Sequence, residues 1–86
     1  MAETTSVDTS ANRVDAPVRL RVDVYDTLAA ARGATTVEAQ ATLHGLNRAT
    51  LFDLRGGKTQ PLLATAMRMA ADLGVAVEVI WERVAA

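Results

Sequence analysis

Residues 45–58 read GLNRATLFDLRGGK. A glycine opens the stretch, Gly56 and Gly57 close it, and Asn47 stands immediately before Arg48. An asparagine in that place accepts a free N–H of a helix's first turn. Leu51 and Leu54, three apart, fall on one helical face. Paired glycines cannot prolong a helix cheaply. The pattern predicts a short helix over 48–55 that turns Leu46, Leu51 and Leu54 inward and begins with polar residues.

Upstream, Thr36 is a second cap and opens VEAQATLH over 37–44, with Val37, Ala41 and His44 on the inner face. Gly45 supplies the left-handed backbone of a tight turn. Two short helices about a glycine turn, the second starting with polar residues, form the helix-turn-helix pattern. Its packing asks for a small residue where the helices touch, met by Ala41, and a glycine four residues later, met by Gly45.

The flanks extend the pattern. Pro17 introduces VRLRV, where Val18, Leu20 and Val22 alternate with Arg19 and Arg21 in the period of a half-buried strand. Asp23 is placed to cap the next helix, with Asp26 adding charge to its first turn. Tyr25, Leu28, Ala29 and Arg32 recur at helical spacing up to Gly33. After the glycine pair, Pro61 belongs in a first helical turn, and PLLATAMRMAADL aligns Leu63, Ala66, Met67, Ala70 and Leu73 before Gly74. Met67 and Met69 read as core filling. Val75, Val77, Val79 and Trp81 then alternate with Ala76, Glu78, Ile80 and Glu82, which predicts a strand over 75–82; a short fifth helix competes with it. The two strands would pair beside the helices, because a lone strand leaves its backbone groups open.

Eighty-six residues allow one small domain. Residues 1–16 have no period and read as a disordered tail, leaving 17–86 as the domain. Half the residues are apolar but only three are aromatic, so the core leans on Leu, Val and Met. The absence of cysteine excludes disulfides and thiolate metal sites. No apolar run approaches the roughly 20 residues that span a bilayer, and the N-terminus lacks the basic start and apolar stretch of a signal peptide. A cytoplasmic protein is expected. His44, the only histidine, reads as a packed, hydrogen-bonded core residue, and no metal, cofactor or small-molecule ligand is expected. The formal net charge is −1, yet Arg32, Arg48, Arg55, Lys58 and Arg68 against Glu38 and Asp53 give 32–68 a balance of +3.

The stretch 23–74 resembles the helix-turn-helix unit of the phage lambda repressor and Cro family, the Xre-like regulators. In that family the second and third helices dock on DNA, and the third is followed by a G-K and a proline-started helix, here GGKTQP. The resemblance implies a mainly α, four-helix lambda-repressor-like domain with short N- and C-terminal β-strands, and a sequence-specific transcriptional regulator that is not an enzyme. Its recognition helix, 48–55, would enter the major groove. Arg48 would then pair with guanine, Ala49 and Phe52 would meet thymine methyls, Thr50 would reach a base or phosphate, and Asp53 would accept from cytosine. Thr36, Val37 and Asn47 would lie against the backbone at helix starts, while Arg55, Lys58 and Thr59 would add phosphate contacts. Alternatively Arg48 is simply solvated and Phe52 a core residue at the unit's edge. A homodimer on an imperfect palindrome is expected, held by 75–84 through Val77, Val79, Ile80 and Trp81, with Ile80 outward. An antitoxin, a phage directionality factor or a protein-binding module using the last strand are the alternative functions.

Overall fold

The computed structural model describes residues 17–84; the tail read at 1–16 lies outside them. The chain runs β1 (Val18–Leu20), α1 (Val22–Ala31), α2 (Val37–His44), α3 (Arg48–Arg55), α4 (Leu63–Asp72), α5 (Val77–Ile80) and β2 (Trp81–Arg83). It is mainly helical, with the two strands paired antiparallel and Val18, Arg19 and Leu20 opposite Arg83, Glu82 and Trp81.

The strand–helix junctions depart from expectation in an instructive way. Arg21 donates its N–H to the Ile80 carbonyl at 2.7 Å, which carries the ladder up to the first residue of α1. The helix therefore starts at Val22, Arg21 occupies the cap position without a side-chain hydrogen bond, and Asp23 falls in the first turn instead of capping it. Asp26 is drawn into contacts with other helices, described below. Pro61 likewise precedes α4, whose cap position is Leu62.

The strand expected over 75–82 is mostly replaced by a single helical turn, with β2 confined to its end. The residues permit both periods. Read at period 2 they put Val75, Val77, Val79 and Trp81 together; read at period 3.6 they put Val77, Ile80 and Trp81 together. The second grouping covers the core. Ile80 is fully buried, Trp81 is buried, and Val77 packs against them, whereas Val79 is 40 % exposed. Ile80, expected outward at a dimer interface, is an interior residue.

One core gathers Leu20, Tyr25, Ala29, Ala41, Leu51, Leu54, Met69, Ala70, Leu73, Ile80 and Trp81. On α4 the inward stripe is Ala66, Met69, Ala70 and Leu73. Leu63 and Met67, expected within it, are 74 % and 56 % exposed. Starting the helix at Leu63 instead of Pro61 does not alter the period; packing selects the smaller face, rich in alanine, for the close approach to α5 and α2.

Two consequences are measurable. Ile80→Lys puts an ammonium into an apolar interior, so its unfolding free energy in a urea titration should drop by more than about 3 kcal/mol. A variant as stable as the parent would contradict this packing. Gly45 has φ +69°, and an added Cβ would stand 3.3 Å from the Arg68 guanidinium. Gly45→Ala should therefore cost about 1–2 kcal/mol through backbone strain. Thermal melts should rank Gly45→Asn above Gly45→Val, since asparagine tolerates positive φ and a β-branched residue does not.

Candidate nucleic-acid interface

Capping fixes where α2 and α3 begin. Thr36 Oγ1 accepts the Ala39 N–H at 3.1 Å, and Asn47 Oδ1 accepts the Thr50 N–H at 2.8 Å. Between them, Gly45 in its left-handed conformation lets Leu46 donate back to the Ala41 carbonyl at 2.9 Å, which closes α2 and redirects the chain. Leu51 and Leu54 are buried, as the periodicity requires. The opposite surface of α3 is then settled by geometry: Arg48, Ala49 and Thr50 are exposed, and Phe52 is 62 % exposed. Arg48, Ala49, Phe52 and Asp53 line one shallow depression. The edge-of-core reading of Phe52 does not hold.

Arg55 behaves differently from the sequence-based expectation. It donates from Nη1 to Asp26 Oδ1 at 2.5 Å and to Gln40 Oε1 at 3.0 Å, and from Nη2 to Asp26 Oδ2 at 3.2 Å. Gln40 Nε2 completes the triangle on Asp26 Oδ1 at 2.9 Å. The hydrogen-bonded Arg55 guanidinium holds the Asp26 carboxyl below the usual carboxylate range. With three hydrogen bonds spent on Asp26 and Gln40, the guanidinium fastens the end of α3 to α1 and α2.

The Val37 side chain is half-buried against the core, on the inner face where its spacing puts it. Only the backbone amides of Val37 and Glu38 face the start of α2, and the Glu38 carboxylate shares that first turn. Asn47 spends its side-chain oxygen on the cap, leaving its NH2 group to donate. Lys58 and Thr59 are exposed in the loop after α3, where the Lys58 N–H bonds the Asp53 carbonyl at 2.9 Å and Gly57 has φ +74°.

A second cluster lies behind the turn. His44 is buried, with Nε2 2.7 Å from the Tyr25 hydroxyl and Nδ1 2.9 Å from Asp72 Oδ2. The pattern is satisfied when Tyr25 donates to Nε2 and Nδ1–H donates to Asp72. Burial pushes the Tyr25 hydroxyl up to about 12, so it stays protonated at neutral pH. Arg68 Nε reaches the same Asp72 oxygen at 3.4 Å, which lays the guanidinium across Gly45. Both ring nitrogens of His44 are occupied, and among the described residues no group of three or more His, Cys, Asp and Glu could hold a metal ion.

Sequence reasoning anticipated His44 as a hydrogen-bonded core residue but not its partners Tyr25 and Asp72, and it missed the Asp26–Gln40–Arg55 cluster, although one signal was present. Gln40 lies beside Ala41 on the face of α2 turned to the other helices, and a buried amide must have partners. A cleft runs between the β1–α1 junction and the end of α3, lined by Arg19, Arg21, Arg55, Gly56 and Gly57 among others. Its cations are answered internally, since Arg19 bonds Glu82 at 2.7 Å and Arg55 bonds Asp26.

No family model matches the chain, and the comparisons with curated proteins and with solved structures gave no match. No helix among the described residues is long and apolar enough to cross a membrane.

The Asp26 cluster makes a pH prediction. A carboxyl depressed in the folded state contributes stability above its unfolded pKa, near 3.8, which is lost as pH falls through the folded value. The carboxylate side chain is 42 % exposed, so solvent screening reduces its share to on the order of 1 kcal/mol. Asp26→Asn should lower the melting temperature at neutral pH and flatten the acid limb of stability below about pH 4. Equal losses for parent and variant between pH 5 and pH 2 would contradict the pair.

Proposed function

We propose that this protein is a sequence-specific DNA-binding regulator that docks α3 in the major groove. One observation carries the reading. α2 and α3 meet through the left-handed turn at Gly45, and the start of α3 turns Arg48, Ala49, Thr50 and Phe52 to solvent while Leu51 and Leu54 hold it to the core. The likeness to the lambda repressor and Cro pattern supports it.

In this pose Arg48 donates two hydrogen bonds to guanine O6 and N7. Ala49 and Phe52 offer an apolar surface to thymine methyls, and Thr50 reaches a base or phosphate. Asp53 accepts from cytosine. Lys58 and Thr59 hold one flank of the backbone, and the first-turn amides of α2 beside Thr36 hold the other. With Arg55 committed to Asp26, two charged side chains, Arg48 and Lys58, carry most of the electrostatic contact on this face.

So few cations suit a protein that binds as a pair. A homodimer on an imperfect palindrome would double the contacts and set the half-site spacing. Ile80 and Trp81 are interior, so the contact between copies moves to the outer edge of β2 and the exposed Val79, where strand addition satisfies open backbone groups.

Selection from random duplexes, followed by fluorescence anisotropy on the selected site, tests the reading. Arg48→Ala should lose roughly 1–3 kcal/mol and relax choice at one base pair. Lys58→Ala should weaken all sequences alike and lower the salt slope by about 1. Unchanged affinity and preference in Arg48→Ala would refute the docking pose. A protein that binds no duplex at low salt would favour a protein-binding module instead.

A further inference from the structure

The side chain of Gln60 stands in for a third strand. The Val18 N–H donates to Gln60 Oε1 at 2.8 Å, and Gln60 Nε2 donates to the Val18 carbonyl at 3.0 Å. In an antiparallel ladder the bonding residues alternate. Here Pro17 and Arg21 bond towards β2, through the N–H of Val84 and the carbonyl of Ile80. Val18 therefore directs both its backbone groups to the opposite edge, where a glutamine amide presents one donor and one acceptor as a peptide would.

The clamp acts on the loop after α3. Gly56 and Gly57 give that loop little stiffness of its own. The Lys58 N–H holds its near end to Asp53, and Gln60 holds its far end to β1. Lys58 stands at the first fastening and Thr59 lies between the two.

Resting on the DNA reading above, we propose that Gln60 is a positioning residue for the phosphate-contacting loop. By fastening the loop to Val18 it sets Lys58 and Thr59 at a fixed place relative to α3, so that no ordering of the loop is required when the phosphate backbone arrives. The same two bonds close the outer edge of β1 at Val18, and among the described residues no strand pairs with the outer edge of β2.

The experiment combines Gln60→Met, which keeps the side-chain length and removes both hydrogen bonds, with Lys58→Ala and the double variant. Amide hydrogen exchange reads the clamp without any DNA. Val18 should exchange roughly two- to ten-fold faster in Gln60→Met, with the Leu51 amide unchanged as a control for the fold. On the selected duplex, Gln60→Met should weaken binding by about the same factor as Lys58→Ala, and the double variant should be no weaker than either single one. Unaltered Val18 exchange, or a Lys58→Ala effect that persists in full in the Gln60→Met background, would overturn the proposal. If the parent binds no duplex while Val18 exchange still depends on Gln60, the DNA reading and the positioning role fall together and the clamp is structural only.

Discussion

Tyr25 and Asp26, adjacent on α1, bind in two directions and hold the first four helices in place. Tyr25 reaches His44 of α2 and, through it, Asp72 of α4; Asp26 reaches Arg55 of α3 and Gln40 of α2. Each cluster satisfies polar groups that would be costly if left alone in a small core. Directional bonds of this kind specify one arrangement where the alanine-rich interfaces would allow a helix to slide. Much of the surrounding structure depends on that pair of residues.

The angle of α3 is a consequence. Its start is set by Asn47 and by the turn at Gly45, over which Arg68 lies; its middle is held by Leu51 and Leu54; its end is tied down by Arg55. Everything left over faces outward in the first two turns. A helix secured along one side and unencumbered along the other can present side chains in a constant geometry, as recognition of base edges requires. The side chains left to the solvent side of the first two turns are those of Arg48, Ala49, Thr50, Phe52 and Asp53.

The sheet plays a joining role out of proportion to its size. It brings both ends of the described chain together, buries Leu20 and Trp81 on one side, and carries the Arg19–Glu82 pair on the other. The Arg19 guanidinium holds the Glu82 carboxyl below its ordinary range. Through Gln60 the sheet also reaches the loop beyond α3. The surface proposed to meet DNA is thus braced by α1 and α4 behind it and by β1 beside it.

Residue chemistry alone determined the local features. Thr36, Gly45 and Asn47 announce the ends of α2 and α3, because a capping oxygen and a left-handed turn need specific side chains at specific places. The bounds of α3 were legible for that reason, as was His44 as a hydrogen-bonded interior residue. Tertiary structure decided matters in which two local readings were equal. The run VAVEVIWERV fits period 2 and period 3.6 alike, and only the site under Ile80 chose a helical turn over a long strand. Arg55 looks like a surface cation until Asp26, 29 residues away, comes within hydrogen-bonding distance. Of the two methionines read as core filling, Met69 is buried and Met67 exposed, because the neighbouring helices, not the composition of α4, select which face approaches them. Caps and turns are written within a few residues; burial and ion pairing depend on partners far along the chain, and those meet only in the folded molecule.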